Sequence, residues 1–278
     1  MYSFYFLISE IIEIKYKGKY ILQLNTMAPL VLSFDGNIGS GKSTLVEEAR
    51  KRLFGQNSKF FWDRKFKNIV FLQEPVDIWK TIVDETGVTI LEKFYGDQKT
   101  WSFAFQMMAY ISRLSILKKT IKENPNSLII TERCVHTDRN VFAKMLYDSK
   151  KINEIEYAIY LKWFDEFLEE TPVHGIVYLD VTPETCFERI AKRSREGEAI
   201  PLEYLKECER YHKNWISNMD YSTTLFTLDG NPDSGKTPEI INLWIEQIEG
   251  FIYKRAADAE AADGRVQPYI DTTPLQRV

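Results

Sequence analysis

The chain has 278 residues, 44% hydrophobic and 27% charged, with a formal net charge of −4. That composition suits one globular domain with a sizeable core and excludes a chain disordered throughout. The slight acidity argues against nucleic-acid binding, because the basic runs Lys15 to Lys19 and Arg50 to Arg52 are short enough to be solvated faces.

The apolar start, Met1 to Ile8, is too short to span a bilayer, has no basic leader and runs into Glu10 and Glu13. It reads as neither signal peptide nor anchor, so a cytoplasmic protein without a membrane partner is expected. Ile12 to Leu24 alternates apolar and polar residues around Lys17-Gly18-Lys19, the pattern of a hairpin. With Met27 just before the first core strand, residues 1–27 read as an N-terminal extension and 28–255 as the domain.

From Leu30 onward, short apolar runs alternate with helical patterns. The predicted strands are Leu30–Phe34, Ile69–Leu72, Leu128–Ile130, Ile176–Leu179 and Leu225–Leu228. Runs that are apolar throughout and joined by helices indicate an α/β fold with a buried parallel sheet covered on both faces. Ligands of such sheets gather beyond the C-terminal ends of the strands.

The first strand leads into Gly36-Asn37-Ile38-Gly39-Ser40-Gly41-Lys42-Ser43, and a helical pattern begins at Thr44. This is a phosphate-binding Walker A loop in the right context. Its glycines let successive backbone N–H groups turn inward at a helix N-terminus, where phosphate is favoured. Lys42 would reach the β- and γ-phosphates of a nucleotide such as ATP, and the Ser43 hydroxyl would sit on Mg²⁺.

After the second strand, Glu74 precedes Pro75, which forces an extended exit and keeps the carboxylate out of a helix. There it could accept a proton from an acceptor hydroxyl. On the helix after Thr100, Gln106, Ala109 and Arg113 share one face. A glutamine amide suits a nucleobase edge, with Phe105 and Phe142 as stacking candidates. Glu132-Arg133 ends the third strand: the carboxylate could orient Mg²⁺ and the guanidinium could fork onto transferring oxygens. Asp138-Arg139 follow; for Arg139 an ion pair at a helix start is as good a reading as a functional one.

Thr182 as N-cap and Pro183 at the first helical position begin a helix that ends in Arg189, Lys192, Arg193 and Arg195. The break at Glu196–Pro201 makes this an arginine-bearing lid. A second loop match, Gly230 to Thr237, also lies between a strand and a helix. Pro232 has no N–H to offer and Asp233 would set a negative charge beside phosphate, so it is expected not to cradle phosphate. Cys134, Cys186 and Cys208 form neither a zinc pattern nor a disulfide framework. Residues 256–278, rich in Ala, Asp, Pro and Thr without periodicity, are expected to form a mobile tail.

Taken together, Leu30 to Tyr253 resembles the deoxynucleoside kinase family, near its deoxycytidine, deoxyguanosine and deoxyadenosine kinase branch. The resemblance rests on the loop GNIGSGKST, the EPV turn followed by Trp79, WSFAFQ followed by Ser112-Arg113, the ER, DR and FA block, TPETC, and RSREGEAIPLEYL. It implies a P-loop NTPase fold with a five-stranded parallel sheet and a helical lid, homodimeric, moving the γ-phosphate of a nucleoside triphosphate onto a 5′-hydroxyl. It implies Glu74 as base, Ser43 and Glu132 as the magnesium site, and Arg133, Arg193 and Arg195 as phosphate and lid arginines. Trp79, Gln106, Arg113, Asp138 and Phe142 would form the base pocket, and Tyr95 with Glu198 would clamp the sugar 3′-hydroxyl. By the same resemblance the second loop lies near the base of the phosphate donor. The chain departs from the family at Cys134, where Ser is usual, and at His136, often Tyr, two changes that could alter pocket shape. The lid is also a residue shorter before Ile200-Pro201.

Two alternatives compete. A thymidylate-kinase-like monophosphate kinase would need an arginine before the Glu-Pro pair, where Gln73 stands. A non-catalytic nucleotide-binding relative would have no need of Lys42, Glu74, Glu132 and the lid arginines together.

Overall fold

The computed structural model describes residues 11–16, 19–24, 28–53, 66–193, 200–219, 224–232 and 238–262. The expected hairpin is present: β1 (Ile11–Tyr16) and β2 (Lys19–Leu24) pair antiparallel from Ile11 opposite Leu24 to Tyr16 opposite Lys19. The remaining strands are β3 (Leu30–Gly36), β4 (Ile69–Leu72), β5 (Leu128–Glu132), β6 (Gly175–Asp180) and β7 (Thr224–Asp229). They form one parallel sheet in the order β4-β5-β3-β6-β7.

The strand that feeds the phosphate loop is therefore central, and β3 is buried along its whole length. Its side chains divide by the two-residue period of a strand. Leu30, Leu32 and Phe34 pack on one face against Leu45, Val46 and Ala49 of α1 (Lys42–Leu53) and Ile245, Ile248 and Ile252 of α10 (Pro238–Ala262). Val31 packs on the other face with Ile129 and with Leu117 of α4 (Gln98–Glu123). The chain leaves β3 to one side for β4 and β5, then crosses to the other for β6 and β7. The crevice beyond the C-terminal end of β3 is thus the topological switch point where such sheets bind ligands.

Among the described residues the other α-helices are α2 (Val76–Lys80), α3 (Ile90–Gly96), α5 (Val135–Thr137), α6 (Lys144–Asp148), α7 (Glu154–Phe167), α8 (Pro183–Arg193) and α9 (Leu202–Ser217). Between α5 and α6 the chain makes a π-helical turn, Asp138–Ala143. Thr182 caps α8 as predicted, its Oγ1 accepting from the Thr185 N–H at 3.4 Å. Among the described residues no helix is long and apolar enough to cross a membrane.

One boundary needs correcting. Helix α10 runs on to Ala262, and Ala256, the first residue of the expected tail, is buried against the core. Alanine and glutamate are strong helix formers, so this stretch needs no apolar period to continue the helix. Arg195 and Glu198 lie outside the described residues, as do positions 233–237 of the second loop match.

Candidate active site

The phosphate loop leaves β3 with Gly36 at φ +148° and continues through Gly39 at φ +78°. A Cβ on Gly36 would lie 2.7 Å from the Leu179 carbonyl oxygen, and one on Gly39 would lie 2.6 Å from that of Cys186. Both positions therefore require glycine on conformational and steric grounds. The Lys42 side chain folds back over the loop, its Nζ donating to the Asn37 carbonyl at 2.7 Å and to Ser40 Oγ at 3.4 Å. Burial, with Arg133 nearby, lowers its pKa from 10.5 to about 8 against the pull of Glu132 and Glu74. At the head of α1, Ser43 Oγ donates to Glu132 Oε1 at 2.7 Å. A hydroxyl and one carboxylate, facing a phosphate loop, match what Mg²⁺ takes from protein when substrate phosphates and water complete its octahedron.

Glu74 stands two residues past β4, between two arginines. Its Oε1 accepts from Arg133 at 2.9 Å and from Arg113 at 3.1 Å, and its Oε2 accepts from Arg133 at 3.1 Å. Burial alone would raise its pKa, but Arg133, Arg113 and Lys42 outweigh it and bring the carboxyl from 4.5 to about 2. Arg133 occupies the left-handed region at φ +61°, which costs on the order of 1–3 kcal/mol for a non-glycine residue. Its surroundings impose that conformation. Its N–H donates to the Phe34 carbonyl at 2.9 Å, its guanidinium reaches the Gly36 carbonyl at 3.4 Å, and it lies over the Phe142 ring at 5.2 Å.

Beside Glu74 opens a cavity of about 480 Å³. Helix α4 supplies Gln106, Ala109 and Arg113, the face predicted from their spacing; α2 supplies Trp79 and α3 supplies Tyr95. Asp138 and Phe142 come from the π-helical turn, a deviation that often marks functional sites. Arg113 ties this region together. It donates to Asp138 Oδ2 at 2.9 Å, to the Glu132 carbonyl at 2.8 Å and to Glu74. Asp138 is 2% exposed; burial pushes its pKa up, partly offset by Arg113. The Gln106 amide oxygen is buried on the cavity wall without a hydrogen-bond partner. Such an atom is costly unless a ligand satisfies it. Phe105 stacks on Phe94 at 4.5 Å and meets Trp79 edge-on at 5.5 Å, giving one apolar wall.

A second cavity, about 390 Å³, is lined by the phosphate loop, Thr44, Glu132, Arg189 and Arg193. The two cavities share Ile38, Glu74 and Arg133, so they meet at the Glu74 carboxylate.

The structure also sets some residues aside. Cys134 and His136, where the chain departs from the family pattern, line neither cavity. Cys134 is buried with its Sγ 3.9 Å from Asp35, and His136 lies edge-on to Phe164 at 5.8 Å. Arg139 turns away to Asp165 at 3.7 Å and to the Phe164 ring, the ion-pair reading of that position. Sequence reasoning missed Tyr204 and Phe94 on the cavity wall, and it missed the buried carboxylate of Asp35. Asp35 accepts from Thr137 Oγ1 at 2.5 Å and from the Gly36 N–H at 3.1 Å, with His212 Nε2 at 3.6 Å. Burial would raise the Asp35 pKa, but His212, Arg133 and Thr137 bring it down to about 2.

A phosphate loop on the central strand of a parallel sheet, opening onto a nucleoside-sized cavity with an ionised carboxylate at the junction, defines a P-loop phosphotransferase. Residues 32–253 match the family described as deoxynucleoside kinase. Human deoxycytidine kinase is 33% identical over 250 residues, covering 80% of this chain and 90% of the relative. The mitochondrial deoxyguanosine kinase of Xenopus laevis is 33% identical over 205 residues, covering 67% and 72%. Human mitochondrial thymidine kinase 2 is 34% identical over 189 residues, covering 67% and 64%. The chain belongs to the deoxynucleoside kinase family.

Proposed function

We propose that this deoxynucleoside kinase transfers the γ-phosphate of ATP to the 5′-hydroxyl of a deoxynucleoside in nucleotide salvage, with deoxycytidine or a purine deoxynucleoside preferred over thymidine. The observation that carries the reading is Glu74, held ionised by two guanidinium groups where the donor and acceptor cavities meet. A 5′-hydroxyl there finds an oriented carboxylate to accept its proton, while Arg133 faces the oxygens of the phosphoryl group in transit. Lys42 and the backbone N–H groups of Gly36 to Thr44 hold the donor phosphates, joined by Arg193 and, from the lid, Arg195. Ser43 and Glu132 would hold Mg²⁺, which screens the charge on those phosphates.

In the acceptor cavity Trp79, Phe105 and Phe142 flank the base, and Tyr95 with Glu198 takes the sugar 3′-hydroxyl. A glutamine amide can turn over to suit either hydrogen-bond polarity, so Gln106 alone discriminates poorly. Asp138 discriminates, because an ionised carboxylate only accepts. An exocyclic amino group satisfies it, whereas thymine O4 would face acceptor against acceptor in a buried site.

A homodimer fits the exposed apolar residues Ile155, Ile159 and Trp163, spaced four apart on α7. The monophosphate-kinase alternative is disfavoured by Gln73, which is exposed and offers no charge for an acceptor phosphate. The test is kcat/KM for the four deoxynucleosides with ATP and Mg²⁺, alongside deoxynucleoside monophosphates. Preference for deoxycytidine or a purine supports the reading; preference for thymidine, or for a monophosphate, overturns it.

A further inference from the structure

The second loop match poses a puzzle, since Gly230 to Thr237 satisfies the letters of a phosphate loop and also follows a core strand. Its described part, Gly230–Pro232, answers it. The carbonyl oxygens of Gly230, Asn231 and Pro232 converge on Arg189 Nη2 at 2.9, 3.2 and 3.2 Å. A phosphate cradle turns successive N–H groups toward one point. Here successive carbonyls do so, which makes a cradle for a cation, and the cation it holds is a side chain of α8.

The loop is fixed from several sides. The Gly230 N–H donates to the Asp180 carbonyl at 2.8 Å, and Asn231 Oδ1 accepts from the Thr182 N–H at 2.9 Å. A Cβ on Gly230 would lie 2.6 Å from Val181 and 2.7 Å from Leu179. The other end of the Arg189 fork, Nη1, donates to the Ser40 carbonyl at 2.9 Å. One guanidinium therefore joins the second glycine-rich loop to the first.

That contact has a consequence for phosphate binding. A peptide unit is planar and trans, so its C=O and N–H point in opposite directions. With the Ser40 carbonyl committed to Arg189, the Gly41 N–H is directed away from α8. The next carbonyl, that of Gly41, is committed to the Leu45 N–H at 3.0 Å. Gly41 sits at φ +100°, in the left-handed region that glycine adopts readily and other residues rarely do.

We propose that Arg189 is a positioning residue that locks the Ser40–Gly41 peptide so that the Gly41 N–H faces the donor phosphates, with Gly230–Pro232 as its fixed anchorage. The inference rests on use of a nucleotide phosphate donor and is independent of which base is accepted. The test is calorimetric titration of ATP and ADP, and separately of deoxycytidine, into wild type and into Arg189→Gln and Arg189→Lys, with KM for each substrate. Arg189→Gln is expected to weaken ATP and ADP by about tenfold or more while deoxycytidine stays within about twofold. The unchanged nucleoside affinity shows that the variant is folded. Arg189→Lys keeps the charge but cannot fork between Ser40 and the anchorage, and it is expected to behave like the Gln variant. If Arg189→Gln fails to fold, the Lys variant decides by the same readout. Recovery of donor affinity by Lys would show that charge alone suffices and would overturn the proposal, as would unchanged donor affinity or an equal loss of donor and nucleoside affinity. A wild type that binds ATP but phosphorylates no deoxynucleoside would instead overturn the proposed function and leave this inference standing.

Discussion

Glu74→Gln separates two roles of one carboxylate, because it keeps the shape and removes the charge. The side chain is 21% exposed and its oxygens take two contacts from Arg133 and one from Arg113. Lowering its pKa from 4.5 to about 2 corresponds to roughly 3 kcal/mol of stability at neutral pH. The sign follows from the direction: a carboxyl whose pKa is depressed by folding stabilises above its ordinary value, and the contribution disappears as pH falls from 4.5 toward 2. The amide variant should therefore be less stable at pH 7 by up to about 3 kcal/mol and should lack that acid-side slope. Denaturant unfolding at pH 7 and at pH 3 would measure both. Turnover should fall by on the order of 10²–10⁴ with nucleoside affinity nearly intact. Near-normal turnover in the variant would remove Glu74 from the base role, and unchanged stability would refute the ion cluster.

Other consequences are as direct. Lys42→Ala should lower transfer by at least about 10², and in wild type kcat/KM for the donor should decline as pH rises through about 8, where Lys42 loses its charge; a flat alkaline profile would contradict this. Asp138→Ala combined with Arg113→Met should shift the ratio of kcat/KM values toward thymidine, read from all four deoxynucleosides in both proteins, and an unchanged ratio would refute the base-edge assignment. Trp163→Glu, on the exposed face of α7, should give a monomer by sedimentation if that face joins two copies, and an unchanged sedimentation coefficient would place the interface elsewhere.

What the sequence made legible was local. The strand runs, the phosphate loop, the Glu74 turn and the shared face of Gln106 and Arg113 all follow from periods and turn chemistry within a few residues. What it hid was long-range and directional. Arg189 belongs by sequence to a basic helix end, and only the fold brings it against Ser40 and Gly230. Asp35 stands in an apolar strand, and the partners that make its burial tolerable, Thr137 and His212, come from α5 and α9. The two glycine-rich loops share a pattern of letters but differ in which backbone atoms converge, and letters do not encode that polarity.

The position of Arg113 shows why base recognition and phosphoryl transfer are not separable in this site. A single guanidinium holds Asp138 at the base edge, the Glu132 carbonyl at the end of β5 and Glu74 at the reacting hydroxyl. Removing it leaves Asp138 buried without its counter-charge and leaves Glu74 with Arg133 as its remaining guanidinium partner. Asp138 would then favour its neutral form, which can donate, and the cavity would no longer reject a carbonyl. Glu74 would become less acidic and less firmly placed. Substitution at Arg113 should therefore alter base preference and turnover together, whereas Asp138→Ala by itself leaves both arginine contacts to Glu74 in place. The difference in kcat between Asp138→Ala and its combination with Arg113→Met thus isolates what Arg113 contributes to transfer apart from base selection.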